Sequence, residues 1–183
     1  MLYSTAWLLE HLAQGIRVKY LFFWGHQPSK DGVITKSCFS QWWMADFTIA
    51  NTCYPSTEHW MMAEKARLFN DEATLARILA ANSPAEAKKL GREIGGFEPE
   101  VWEAHKYEIV KIGNLHKFSQ NPELLQFLLA TNDRVLVEAS PVDTIWGIGL
   151  GADSPDAEYP SNWQGPNLLG FALMEVRDQL RNA

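Results

Sequence analysis

The chain is poor in cysteine, lacks any long apolar run and carries no excess of positive charge. Cys38 and Cys53 are its only cysteines in 183 residues. They do not have CxxC spacing, and two such thiols read as free in a reducing compartment. No stretch approaches the roughly 18 consecutive apolar residues of a membrane span, so no membrane partner is expected. Met1-Leu2-Tyr3-Ser4 lacks the charged region and apolar run of a secretory signal. A cytoplasmic location is the expectation. Lys and Arg total 16 against 22 Asp and Glu, giving a net charge of -6 and a pI of about 5.3. That balance argues against broad electrostatic binding to nucleic acid, which needs many phosphate contacts. It leaves room for a small anion held by a few local donors.

Metal and cofactor fingerprints are missing too. The five histidines are scattered, and Glu58-His59 has no second His at zinc-helix spacing. Trp146-Gly147-Ile148-Gly149-Leu150-Gly151 is glycine-rich, but no phosphate-loop lysine follows it. There is no dinucleotide fingerprint after a strand and no GxSxG elbow. No metal and no cofactor is expected.

What the chain does have is a globular composition, 46% apolar, and enough length for one sizeable domain over 1–183. Most of its eight tryptophans read as core. Residues 5–14 read as a short helix with Trp7, Leu8 and Leu12 on one side. Strands are expected at 18–24, 34–43, 46–50 and 134–138, where β-branched and aromatic residues gather. Helices are expected from Ser56 or Thr57 to Phe69, then at 71–81, 84–91, 99–118, 122–131 and 167–180. Ser83-Pro84-Ala85-Glu86 is a capping box with Pro at the first helical position. Residues 140–167 carry four of the nine prolines and read as loop.

The segment from Tyr54 to Ala66 carries the most chemistry. Glu58 and Lys65 are seven residues apart, two helical turns, and share one face with Met62 and Phe69. An acid and an amine in such a stripe are costly to bury. They either meet solvent at an edge, as a capping acid and a snorkelling lysine, or line a site. Asp143 to Gly149 offers an acceptor, a flat Trp146 face and glycines that admit a ligand, or else a tight turn around a core Trp. Asn167 reads as an N-cap at a helix start that could hold an anion. Arg92 after Gly91 either clamps a phosphate or complements a helix dipole.

These pieces occur together and in order. Phe22-Phe23-Trp24, Phe39-Ser40-Gln41-Trp42, Tyr54-Pro55-Ser56-Thr57-Glu58-His59, Ala63-Glu64-Lys65-Ala66, Gly91-Arg92 and Lys117-Phe118 lead the set. Leu136-Val137-Glu138, Asp143 with Trp146-Gly147-Ile148-Gly149, and Asn167-Leu168-Leu169-Gly170 follow. The chain resembles the YbiA-like, or NADAR, family from about residue 21 to 180. The resemblance implies a mainly α, single helical domain with a few short strands. It implies an N-glycosidase acting on ADP-ribosylated guanine or on phosphorylated ribosylamine intermediates of riboflavin synthesis. The partner would be a small nucleotide or ribosylamine, or an ADP-ribosylated nucleic acid. Carried over by motif, Lys65 and Glu58 are the catalytic pair. Trp146, Asp143, Asn167 and Arg92 bind substrate, with Gly147, Phe39 and His59 beside them.

The residue types suit that chemistry. A desolvated lysine carries some neutral amine, which can attack an anomeric carbon, while a carboxylate shuttles the proton. The alternative is water activated directly by Glu58, and a further alternative is a non-catalytic ADP-ribose-binding module. Two departures stand out. Met62 replaces a common glutamine, and Pro166 replaces a basic residue before Asn167. The acidic stretch Leu150–Gln164, with Asp153, Asp156 and Glu158, reads as a lid or as a repulsive wall to nucleic acid.

Overall fold

The computed structural model describes residues 1–182. In chain order its elements are α1 (Thr5–Ala13), β1 (Tyr20–Phe23), β2 (Phe47–Ile49), β3 (Thr52–Tyr54), α2 (Thr57–Leu68), α3 (Glu72–Leu79) and α4 (Pro84–Gly91). Then come α5 (Pro99–Gln120), α6 (Pro122–Leu129), β4 (Val135–Glu138) and α7 (Leu168–Arg181). Seven helices and four short strands among the described residues make the protein mainly helical, as expected. None of these helices is long and apolar enough to cross a membrane.

Contacts divide the chain into two compact units, one of residues 1–40 and 123 onward, the other Gln41–Pro122. In the first, β1 and β4 pair in parallel, with Tyr20 opposite Val135 and Phe23 opposite Glu138. Val135, Leu136 and Val137 are all buried, as a short apolar run in a parallel pair should be. Helix α7 packs on β4. Gly170 makes that possible, because a Cβ there would stand 2.1 Å from the Leu136 carbonyl oxygen.

In the second unit, α2 lies against α3, α4 and α5. Each short helix starts on a side-chain cap: Ser56 accepts from the His59 N–H, Asp71 from Thr74 and Ser83 from Glu86. Trp60 of α2 seats on α5 at Gly113, where a Cβ would come within 2.3 Å of its ring. The indole N–H donates to the Ile109 carbonyl at 2.7 Å.

Two strand expectations need correction. Residues 34–43 contain no strand; Thr35 instead accepts from the Ser37 N–H and opens a 3-10 turn over Lys36–Phe39. That turn buries Cys38 and Phe39, which an edge strand would not. The 46–50 segment holds β2, but its partner β3 was not expected. Ala50 and Asn51 form the two-residue turn between them, at φ 48° and 66°. Such left-handed turns normally announce themselves with Asn-Gly or Asp-Gly, and Ala50 hides the signal.

Candidate active site

Lys65, on α2 in the second unit, sits against a backbone carbonyl and two aromatic rings. Its ammonium donates to the Gly91 carbonyl at 2.8 Å. The Phe97 ring lies 4.3 Å away and the Trp102 ring 5.7 Å away. Half-burial pushes the Lys65 amine below the usual lysine range, and desolvation is the cause. The carbonyl and the aromatic faces favour the charged form, so they limit how far it falls. Lys65 makes no ion pair with any described residue, so no carboxylate holds its proton.

The cage is built from distant segments. Gly91 ends α4 against α2, where a Cβ would meet the Met62 sulfur at 2.0 Å. Met62 therefore fills the space beside Gly91, and a Cβ at this position would require the Met62 side chain to move. Phe97 follows a turn pinned by Asp71, whose Oδ2 accepts from the Gly95 N–H at 2.8 Å. Gly96 then takes the left-handed conformation at φ 66°. Phe97 is 41% exposed and leans on Phe69 at 5.2 Å, so it closes the cage from the solvent side.

Gly91→Ala should destabilise the protein by about 1–3 kcal/mol, because Met62 must leave its place. Thermal unfolding checks the stability. Activity should fall further than stability explains, since the Gly91 carbonyl shifts away from Lys65.

Glu58 lies two turns before Lys65 on α2, about 10 Å along the axis. It is 2% exposed. Its N–H donates to the Gln41 carbonyl at 3.0 Å, and the Thr57 hydroxyl donates to the same oxygen at 3.2 Å. The Gln41 side chain accepts from Asn114 Nδ2 at 2.8 Å. Asn114 also donates to the Val110 carbonyl at 2.9 Å, which fixes its orientation. Gln41 Nε2 and Asn114 Oδ1 are then left buried with no hydrogen-bond partner.

The remaining expected residues divide clearly. His59 is 1% exposed, with Nδ1 2.7 Å from the Ser56 hydroxyl and Nε2 3.2 Å from the Ala81 carbonyl. Burial lowers its pKa, so it is a neutral ring with both nitrogens engaged. It ties the start of α2 to the end of α3. Arg92 is exposed at the end of α4, and its side chain bonds to no described residue. It is available to an anion.

In the first unit, Asp143, Trp146, Gly147 and Asn167 gather in one loop system. Asp143 Oδ1 accepts from the Ile145 and Trp146 N–H groups, both at 2.8 Å. Gly147 is forced by space, since a Cβ would stand 2.8 Å from the Glu138 carbonyl oxygen. Its own carbonyl accepts from the Asn167 N–H at 3.2 Å. Asn167 sits at the N-cap position of α7 with φ 56°, but its side chain makes no cap. Its amide instead accepts from the Glu138 N–H and donates to the Leu136 carbonyl, each at 2.9 Å. The side-chain cap expected there is therefore corrected, because β4 claims both polar atoms. Trp146 is half-buried at the loop. Phe39 is fully buried and packs on Phe23 and Phe127 at 5.4 and 5.5 Å.

The NADAR domain family matches residues 22–181. The chain belongs to the NADAR family. It is 42% identical to N-glycosidase R617 of Acanthamoeba polyphaga mimivirus, over 88% of this chain and 96% of that protein. N-glycosidase YbiA of Shigella flexneri is 32% identical over 78% of this chain and 80% of its own. Riboflavin biosynthesis protein VVA0006 of Vibrio vulnificus is 34% identical over 73% of this chain, a match spanning 33% of that longer protein. Among solved structures, the NMR structure of the E. coli protein YbiA superposes with a TM-score of 0.71 at 27% identity. It covers 91% of this chain and 87% of that one. This NADAR protein is an N-glycosidase.

Sequence reasoning within the NADAR pattern did not find Phe97, Trp102, Gln41 or Asn114 as neighbours of the proposed catalytic pair. Gln41 carried a signal, since it stood in the Phe39-Ser40-Gln41-Trp42 motif. Phe97 and Trp102 carried none, being 32 and 37 residues beyond Lys65.

Proposed function

We propose that the protein cleaves the ribosyl N–C bond of a phosphate-bearing N-riboside, with Lys65 as nucleophile and Glu58 as proton shuttle. One observation carries this reading: an amine held without an ion pair, its pKa lowered by burial, on the same helix as a buried glutamate. The neutral Lys65 amine attacks the anomeric carbon. The C–N bond to the base breaks, and Glu58 supplies the proton that the departing nitrogen needs. The lysine-bound sugar opens to a Schiff base. Water then adds, the proton returns through Glu58, and free sugar and free Lys65 result.

Arg92, in the same unit as Lys65, takes a phosphate oxygen of the substrate. In this reading Asp143, Gly147 and Asn167 act by shaping the loop that carries Trp146. Phe39 and His59 each support the fold of their own unit. The substrate is a phosphorylated ribosylamine of riboflavin synthesis or an ADP-ribosylated guanine. The riboflavin-named relative and the net charge of -6 favour the small ribosylamine.

Incubation with each substrate in turn, followed by mass spectrometry, tests this. Wild type should release ribose phosphate from the ribosylamine, and Lys65→Ala should not. Release of ADP-ribose from a guanine-modified oligonucleotide alone would move the assignment to nucleic acid. No product from either substrate would overturn it.

The pH profile follows from the same amine. Its neutral fraction grows with pH, so kcat/KM should rise with pH through a midpoint below the ordinary lysine value of about 10.4. Phe97→Ala admits water to the ammonium and relieves its desolvation. The rising limb should then move to higher pH. An unmoved limb would mean that Lys65 is not the titrating group.

A further inference from the structure

A second concavity lies in the first unit, and none of the candidate active-site residues line it. It has a volume of about 750 Å³, within the usual range of small-molecule sites. Tyr3, Trp7 and His11, spaced four apart along α1 and its approach, form one wall. Trp7 has Tyr3 edge-on at 4.6 Å and His11 tilted at 4.3 Å. The rest of the lining is mainly basic, with Arg17, Lys19, Arg134, Arg177 and Arg181 beside Asp133 and Asp178. Five cations around one cavity are notable in a chain of net charge -6.

The two carboxylates are already engaged. Asp178 accepts from the Tyr3 hydroxyl and lies 3.7 Å from Arg177 Nε. Asp133 pairs with Arg181 at 3.1 Å. Arg17, Lys19 and Arg134 are exposed, and their side chains bond to no described residue. Lys19 and Arg134 enter β1 and β4 side by side, because the Val135 N–H donates to the Lys19 carbonyl at 2.8 Å. Like charges on neighbouring strands repel and cost stability unless an anion lies between them. Below them, Arg177 is 2% exposed, and its Nε is buried without a hydrogen-bond partner. Its Nη1 is spent on the Thr131 hydroxyl and the Arg134 carbonyl, which anchor the guanidinium in the cavity floor.

We propose that this cavity binds a nucleoside diphosphate, with the pyrophosphate on Lys19, Arg134 and Arg17 and the base against the Trp7 wall. Two linked phosphates match a row of unpaired cations, and the aromatic wall takes a planar base. The low overall positive charge favours such a small anion over a polymer.

ADP titrated calorimetrically into the full chain tests this, with Lys19→Glu, Arg134→Glu, Trp7→Phe and Lys65→Ala alongside wild type. Wild type should bind ADP, Lys19→Glu and Arg134→Glu should each bind at least tenfold more weakly, and Lys65→Ala should bind as wild type. The charge reversals lie on exposed, unpaired side chains, so an unchanged melting temperature certifies their fold. Trp7→Phe should bind ADP more weakly but leave inorganic pyrophosphate binding intact. Absence of ADP binding at millimolar concentration would overturn the proposal. So would binding that survives both charge reversals, or binding lost in Lys65→Ala, which would place the nucleotide at the catalytic lysine instead. A short single-stranded oligonucleotide binding more tightly than ADP through the same cations would overturn the nucleotide assignment in favour of a polymer backbone.

Discussion

Lys65→Arg should lose about 10³-fold or more in kcat while still binding substrate. The substitution separates charge from nucleophilicity. A guanidinium stays protonated at any pH the protein survives, so it cannot attack carbon. It can still sit against Phe97 and Trp102, because aromatic faces accept Arg at least as well as Lys. An unchanged melting temperature would show that the cage holds. Lys65→Ala should lose as much. If Lys65→Arg instead kept a tenth or more of the wild-type rate, Lys65 would be an electrostatic helper, with Glu58 activating water directly.

Glu58→Gln should cost about 10²–10⁴-fold in kcat with little change in KM. Glutamine keeps the shape and removes the proton transfer. Glu58 is buried at the start of α2, and its backbone N–H is fixed by the Gln41 carbonyl, so the isostere should stay in place. The defect should depend on the leaving group. A substrate whose departing group needs no proton should be cleaved by Glu58→Gln at close to the wild-type rate in the first step. An equal loss for both kinds of substrate would count against proton delivery and point to stabilisation of sugar charge.

The helices of the second unit were legible because their starts are local. Ser56, Asp71 and Ser83 cap within three residues, and such pairs can be read directly. The two-turn spacing of Glu58 and Lys65 was legible for the same reason. What could not be read was which of two environments Lys65 occupies. Its cage comes from Gly91, Phe97 and Trp102, and Phe97 is placed by an Asp71 bond to a turn 24 residues away. No periodicity records such contacts. His59 illustrates the same limit: Ser56 and Ala81 engage both of its ring nitrogens, contacts that its motif position does not record. The failed strand at 34–43 had the right residue types, but a Thr35 side-chain bond turned the backbone instead. Asn167 was placed correctly at the start of α7, yet its side chain serves β4, which only the tertiary structure brings near.

Borohydride trapping during turnover tests the central claim most directly. Reduction of a Schiff base leaves the sugar permanently attached to the amine that formed it. Intact-protein and peptide mass spectrometry should find one sugar phosphate, or one ADP-ribose, on the peptide containing Lys65, only when substrate and borohydride are both present. Lys65→Arg should show no adduct. Undiminished turnover by wild type with no trapped sugar, or an adduct on a different lysine, would contradict the account.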